Sequence, residues 1–157
     1  MDTKFNFNDG DGPVPAHKHP NGGGWVADTA YVSKTAYVGL NARVFGNAWV
    51  SDNARVSDDA EVFDGAQVYG NARVFGNAWV YEDARVYGDA WVFDDAQVFG
   101  DARVYGNARV YGNAQVFGDA QVFGDAWVYG NAKVYGYSIV FGYAKVSGNM
   151  ELGGEWR

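Results

Sequence analysis

A valine recurs at every sixth residue through most of the chain, and this period constrains the fold more than any other feature. The register begins at Val26, ends with Leu152 in the last valine position, and does not slip over these 22 positions. An alanine stands two residues before nearly every valine, from Ala30 to Ala144, with Ser138 as the exception. A strict repeat places equivalent residues in equivalent environments, so a repeat architecture is expected.

Three secondary structures compete for a period of six. A helix is excluded because valine and alanine at this spacing never form one face of a 3.6-residue period, and glycine recurs in nearly every repeat. A meander of hairpins with Gly-Asn turns would pair Tyr105 with Ala108. It would also pair Val104 with Arg109, and so mix apolar and charged side chains on both faces. Parallel strands, each lying beside the strand one full coil away, remain.

In the parallel arrangement each repeat contributes a short strand and a sharp corner. Alternation along residues 108–111 sends Ala108 and Val110 to one side, and it sends Arg109 and Tyr111 to the other. The glycine and the asparagine or aspartate that follow tolerate the positive φ that a corner requires. Every repeat therefore predicts an interior of valine and alanine and an exterior of variable and aromatic residues.

The motif Val-Tyr/Phe-Gly-Asn/Asp-Ala-x over residues 26–152 resembles the bacterial hexapeptide-repeat family. The resemblance implies an all-β fold, a left-handed parallel β-helix shaped as a triangular prism, with about 18 residues per coil and about seven coils. The lead PVPAHKHPNGGGWV, followed by Gly-Asn-Ala-Arg-Val repeats, is also similar to small solenoid proteins encoded by bacteria and their phages.

The chain divides into residues 1–24, which lie outside the repeat, and residues 25–157, the predicted hexapeptide-repeat β-solenoid. The leading segment holds all three prolines and both histidines, and it is predicted to be an N-terminal cap or loop segment. A cap is expected because the first rung would otherwise expose unpaired backbone groups and the open end of the core. Phe5, Phe7 and Val14 are the candidate plugs.

The last rung carries Met150 and Leu152 in place of alanine and valine. These larger side chains predict a plug in the C-terminal end of the prism. The residues GGEWR that follow are predicted to be too few to cover the strand edge, and exposed edges favour end-to-end pairing between molecules.

A spacing of 18 aligns the outward residues into columns on three faces. The most basic and aromatic column is the predicted binding face: Tyr37, Arg55, Arg73, Trp91, Arg109, Trp127 and Lys145. Alternating cations and rings are explained by stacking alone, and they also suit a glycan or a single-stranded nucleic acid. We place the centre of the binding face at Trp91, Arg109 and Trp127.

Tyrosine or phenylalanine follows most valines, which predicts a ladder of stacked rings on every face. Such rings shield the strand backbone and contribute about 0.2–1 kcal/mol per pair. A binding surface or a homo-oligomer interface is the alternative explanation, since apolar patches this extensive are uncommon on a monomer.

Acidic residues number 19 against 12 basic residues, giving a net charge of −7 that disfavours nucleic-acid binding. Carboxylates along one corner would repel a polyanion and either hold Ca²⁺ or act as solvated turn residues: Asp64, Glu82, Asp83, Asp101 and Asp119. No apolar run is long enough to span a bilayer and no signal sequence is evident, so we expect a cytoplasmic protein without a membrane partner. The resemblance to small solenoid proteins implies a bacterial or phage-infected cell.

The resemblance raises an acyltransferase as an alternative function. Catalytic members of the hexapeptide family carry a histidine near a subunit boundary, protruding loops and usually a C-terminal helix, whereas this chain has no histidine after Trp25 and no insertion in its repeats. Without a general base there, we expect no enzyme activity and no cofactor. His17 and His19 are weak candidates for a metal site or for a degenerate transferase site completed between subunits.

These observations predict a non-catalytic β-solenoid scaffold or interaction module. It would present its aromatic and arginine ladders to a protein partner or to itself, through a face or an end of the solenoid. A degenerate hexapeptide acyltransferase is one alternative, and a surface that binds a glycan or a single-stranded nucleic acid is another.

Overall fold

The computed structural model describes residues 3–153, which form 24 β-strands and no helix. The first three strands are β1 Lys4–Asn6, β2 Pro13–Lys18 and β3 Trp25–Ala27. The other strands have two residues each, namely β4 Tyr31–Val32, β5 Tyr37–Val38, β6 Arg43–Val44, β7 Trp49–Val50, β8 Arg55–Val56, β9 Glu61–Val62, β10 Gln67–Val68, β11 Arg73–Val74, β12 Trp79–Val80, β13 Arg85–Val86, β14 Trp91–Val92, β15 Gln97–Val98, β16 Arg103–Val104, β17 Arg109–Val110, β18 Gln115–Val116, β19 Gln121–Val122, β20 Trp127–Val128, β21 Lys133–Val134, β22 Ile139–Val140, β23 Lys145–Val146 and β24 Glu151–Leu152.

The strands form three sheets that are the sides of a triangular prism. Sheet 1 has ten strands in the order β1-β2-β3-β6-β9-β12-β15-β18-β21-β24. Sheet 2 has seven, β4-β7-β10-β13-β16-β19-β22, and sheet 3 has seven, β5-β8-β11-β14-β17-β20-β23. From β3 onward each strand pairs in parallel with the strand three further along, in an 18-residue register such as Val74 opposite Val92. The predicted parallel β-solenoid of about seven turns is confirmed.

The interior is one continuous cluster of valine and alanine. Every valine and alanine of this cluster from Ala36 to Val134 is 0–1% exposed. The strand alternation therefore works as predicted, and each buried valine contributes about 1.5–3 kcal/mol of apolar burial.

The C-terminal end of the interior differs from the predicted plug. Leu152 is partly buried and packs against the valine and alanine cluster, as expected. Met150, however, is 47% exposed, so its assignment as a plug was wrong. No rung follows the last one within residues 3–153, so the Met150 side chain has no neighbour on that side. Residues 154–157, on which the prediction about the GGEWR tail rests, lie outside the described residues.

From Gly46 to Gly148 each corner has one residue in the left-handed backbone conformation, and glycine usually supplies it. Gly106 has φ of 66°, and a Cβ there would lie 2.9 Å from the backbone nitrogen of Gly124 in the next turn. Five corners instead hold an acidic residue at φ of 55–59°: Asp52, Asp58, Asp64, Glu82 and Asp94. Each carboxylate accepts a hydrogen bond from the backbone N–H 18 residues later, at 2.8–3.2 Å. This bond offsets part of the cost of a side chain in that conformation.

The segment before the repeats covers the edge of sheet 1 as a hairpin. Strands β1 and β2 pair antiparallel, and β2 pairs antiparallel with β3. The predicted plugs Phe5, Phe7 and Val14 do not enter the interior. They belong to a separate cluster on the outer side of sheet 1, where Phe7 is 2% exposed and stacks on Phe45 with centroids 4.8 Å apart. Ala27 stands 18 residues before Phe45, and this small residue leaves room for the Phe7 ring to continue the ladder.

Residues 19–24 cover the first strand of sheet 3. The buried His19 bonds through Nε2 to the Ala36 carbonyl at 2.8 Å. Gly24 N–H donates to the Val38 carbonyl, and Val38 N–H donates to the Asn21 carbonyl. Backbone groups that an open first rung would leave unpaired are therefore satisfied here.

No membrane-spanning helix is present within residues 3–153.

Candidate binding groove

The seven residues of the predicted binding face lie together on the outer side of sheet 3. Successive members are direct partners in parallel strands, as Trp91 is opposite Arg109 and Arg109 is opposite Trp127. We call this set the sheet 3 column: Tyr37, Arg55, Arg73, Trp91, Arg109, Trp127 and Lys145. A period of 18 residues places one member in each turn of the solenoid.

Cations and rings contact each other along the sheet 3 column. The Arg109 guanidinium carbon lies 4.6 Å from the Trp91 ring centroid and 5.6 Å from that of Trp127. The Lys145 amine lies 4.8 Å from the Trp127 centroid, and Arg73 lies 5.4 Å from that of Trp91. Each such contact at an exposed site stabilises the fold by about 0.5–1 kcal/mol. Arg109 is the one cation of the described residues that contacts two rings.

A groove of about 640 Å³ lies over the C-terminal half of the sheet 3 column. Its floor is formed by Trp91, Arg109, Trp127 and Lys145. Its wall is the neighbouring corner between sheets 2 and 3, which contributes Asp89, Asn107, Asp125 and Tyr143. The volume lies within the range of about 300–1,000 Å³ that small-molecule sites occupy.

Most polar side chains of the groove have no protein hydrogen-bond partner. Within the described residues, Arg109, Lys145, Asn107 and Asp125 make no side-chain hydrogen bond or ion pair, whereas Asp89 accepts one hydrogen bond from Asn71 at 3.2 Å. Contacts with the rings orient the two cations without using their N–H donors. The groove therefore offers free donors and acceptors beside aromatic surface.

Sheet 2 carries a second, smaller groove of about 300 Å³. Its lining also combines carboxylates with arginines but contains no ring: Gly65, Gln67, Asp83, Arg85, Asp101 and Arg103. Arg85 and Arg103 are direct strand partners. Neither of them makes a cation–π contact with a described ring.

The aromatic ladders predicted after the valines are confirmed on all three sheets. Neighbouring ring centroids within the repeats are 4.8–5.6 Å apart and nearly parallel. Desolvation by burial raises the pKa of Tyr81, Tyr87 and Tyr111. Nearby acids add to the effect at Tyr81, and neighbouring tyrosines add to it at Tyr87 and Tyr111.

The two histidines have different environments and partners. His17 is about half exposed, and its Nδ1 lies 2.7 Å from Asp28 Oδ1. His19 is only 4% exposed and bonds through Nε2 to a carbonyl oxygen, so that nitrogen carries a proton. Among residues 3–153, no group of three or more histidine, cysteine or acidic side chains is placed to hold a metal ion.

Four residues of the groove were missed by the sequence reasoning: Asp89, Asn107, Asp125 and Tyr143. All four stand at a corner, outside the strand positions that define the outward columns. The signal that could have found them is their spacing, because each precedes a member of the sheet 3 column by two residues. A residue two positions before an outward strand residue lies at the edge of the same outer face.

The repeats are similar to a known family of solenoid repeats. The family model described as the YdcK beta solenoid repeat matches residues 66–82, 96–112 and 102–118. These segments contain Arg73 and Arg109 of the sheet 3 column and strands of all three sheets. No curated protein and no solved structure matches the chain. The family comparison thus supports a β-solenoid repeat protein, in agreement with the three sheets.

Proposed function

We propose that the protein is a non-catalytic β-solenoid interaction module whose working surface is the groove on sheet 3. The observation that carries the proposal is the combination of Trp91 and Trp127 with the unpaired polar groups of Arg109, Asn107 and Asp125 in one concavity. Elsewhere the same prism uses its rings in ladders that stack on themselves. A rigid solenoid holds these groups in place before binding, which lowers the entropy lost when a partner binds.

The setting of this function is part of the proposal. The resemblance of the repeats to hexapeptide-repeat proteins supports left-handed winding and a bacterial or phage origin, and we place the protein in the cytoplasm. The partner is met through the sheet 3 face, and a self-associated form would use the same face or an end of the solenoid. Nucleic acid is disfavoured by the net charge of −7.

Protein-observed NMR with a mixed fragment set tests the proposal. Sugars, amino acids, nucleosides and short peptides are added in turn, and the indole N–H signals are followed after assignment by tryptophan-to-phenylalanine substitution. We expect fragments to shift the indole N–H signals of Trp91 and Trp127. Trp49 and Trp79 are the matched controls, because both are outward strand residues on the other two sheets and are 47% and 42% exposed. Shifts confined to the controls, or no shift with any fragment, would refute the groove as the working surface.

A transferase is the rival function, and the exposed pair of His17 and Asp28 is the observation that favours it. An imidazole held by a carboxylate is the usual arrangement of a general base. The rival is tested by incubating the protein with acetyl-CoA and a panel of amine and hydroxyl acceptors. We expect no thiol release above background. Release that disappears in His17→Ala but persists in Trp127→Ala would replace the proposed binding function with catalysis.

A further inference from the structure

The sheet 3 groove contains both hydrogen-bond donors and acceptors that the protein leaves unused. Arg109 and Lys145 can only donate, Asp125 can only accept, and the Asn107 amide can do both. All of them line one cavity of about 640 Å³. A wholly apolar ligand would bury these groups without partners, at a cost in binding free energy. The ligand must therefore carry donors and acceptors of its own.

The charges of the groove cancel. Arg109 and Lys145 on the floor face Asp89 and Asp125 on the wall. A polyanion would meet the two carboxylates, and a polycation would meet the two cations, so like-charge contacts disfavour both. A neutral ligand escapes both repulsions. Hydroxyl groups match such a lining, since each hydroxyl can donate to a carboxylate and accept from a guanidinium.

Apolar contact completes the description of the ligand. Trp91, Trp127 and Tyr143 supply ring surface in the same cavity as the polar groups, and Tyr143 is 85% exposed. A pyranose ring combines a face of C–H groups with a rim of hydroxyls, which fits rings flanked by donors and acceptors. The groove extends over four turns, or about 14 Å at the usual strand spacing, which is room for about three sugar rings in line.

From these observations we infer that the groove binds a neutral oligosaccharide, with its sugar rings against Trp91 and Trp127 and its hydroxyls bonded to Arg109, Asn107 and Asp125. This inference rests on the proposed function, because it names the ligand class of the same groove. The orientation places the chain of sugars along the solenoid axis.

Isothermal titration calorimetry tests the inference with cellotetraose, chitotetraose and maltotetraose, and a printed array of neutral glycans widens the search. Tetragalacturonate is the anionic comparison. We expect a neutral glycan to bind and tetragalacturonate not to bind. Trp127→Ala should weaken binding about tenfold, since loss of one aromatic stacking contact has this size. The matched control Trp79→Ala, on sheet 1, should change affinity less than about twofold.

A second variant keeps the test decisive if Trp127→Ala fails to fold. Asp125 is exposed and unpaired, so Asp125→Ala leaves the ring contacts and the interior intact, and it should still weaken neutral-glycan binding severalfold. Binding that is unaffected by both Trp127→Ala and Asp125→Ala would overturn the inference, as would failure of every neutral glycan to bind. If amino acids, nucleosides or peptides shift the groove indoles while neutral glycans do not bind, only the ligand class is wrong. If no probe of any class shifts them, the proposed function fails as well.

Discussion

Sheets 2 and 3 build two grooves from the same backbone and much of the same chemistry. Each groove has carboxylates at a corner and two cations on the adjacent strands, Arg109 and Lys145 on sheet 3 and Arg85 and Arg103 on sheet 2. Sheet 3 places Trp91 and Trp127 on either side of Arg109, whereas sheet 2 places Arg85 directly opposite Arg103. The volumes are about 640 Å³ and about 300 Å³.

The difference shows what tryptophans placed between cations add to a column of the same backbone. From Trp91 to Lys145 the column alternates, so Arg109 and Lys145 each contact a ring and Trp127 separates the two positive charges. Arg55 and Arg73, outside the groove, are direct partners in adjacent turns of the same column. Two arginines in adjacent turns of sheet 2 repel each other and leave no apolar floor. The same interior underlies both grooves, because the buried valine and alanine side chains lie on the opposite side of the strands from the outward residues.

The corners beside the two grooves differ as well. On the sheet 2 side, Asp64 and Glu82 occupy the left-handed position and accept hydrogen bonds from N–H groups one turn later. On the sheet 3 side, glycine holds that position from Gly70 to Gly142. Because glycine has no side chain, the wall of the larger groove is formed by the side chains of the residues that follow it: Asp89, Asn107, Asp125 and Tyr143.

The largest effect is expected from converting a glycine corner beside the sheet 3 groove. Gly106→Val forces a β-branched residue into φ of 66° with its Cβ 2.9 Å from the Gly124 nitrogen, and should cost about 3 kcal/mol of unfolding free energy. Gly106→Asp should cost only about 1 kcal/mol, because the carboxylate can accept from the Gly124 N–H as Asp64 accepts from Glu82. Urea unfolding measures both. Equal losses would show that the corner carboxylates do not stabilise the turn.

A smaller effect separates the arginines of the two grooves. Arg109→Leu removes two cation–π contacts and should lower the unfolding free energy by about 1–2 kcal/mol. Arg103→Leu removes none and should change it by less than about 0.5 kcal/mol. Thermal unfolding of the two variants in the same buffer gives the comparison. If Arg103→Leu lowered the unfolding free energy as much as Arg109→Leu, the cation–π contacts of Arg109 would not stabilise sheet 3.

The smallest effect appears only in alkaline solution. Burial raises the pKa of Tyr87, and the neighbouring Tyr69 and Tyr105 raise it further, so the folded state favours the neutral phenol. The resulting stability is complete below the ordinary pKa of about 10 and is lost as the pH rises through the raised value. Tyr87→Phe should match the wild type at neutral pH and lose less stability at about pH 11. Tyr111→Phe is the counterpart on sheet 3, where burial also raises the pKa of Tyr111.

Unfolding midpoints at both pH values decide this prediction. Parallel loss of stability in the wild type and in Tyr87→Phe on going to alkaline pH would show that ionisation of this ring is not coupled to folding. A double variant with Tyr111→Phe should show the sum of the two single effects, since the two rings lie in different ladders.

Much of the candidate site could be predicted because the solenoid repeats itself. Trp91, Arg109 and Trp127 fall in one column by counting 18 residues, and their contacts follow from strand pairing. The wall of the groove was not predicted. In the sequence Asn107 and Asp125 look like ordinary corner residues, and only the structure shows that they line a concavity beside Trp91 and Trp127. Cavity shape depends on side-chain conformations, which no spacing rule supplies.

The 18-residue coil, and with it the three outward columns and their ring ladders, was implied by the resemblance to hexapeptide-repeat proteins. The period of six by itself determined the parallel strands, the valine and alanine interior and the outward position of the aromatic residues. It could do so because every repeat obeys the same local alternation and the same corner, so one unit describes them all. Only the tertiary structure decided where residues outside the period pack. Phe7 extends the ladder at Phe45 instead of plugging the interior, and His19 covers the first strand of sheet 3. Both results depend on the antiparallel pairing of the leading hairpin, a long-range contact that has no period to reveal it.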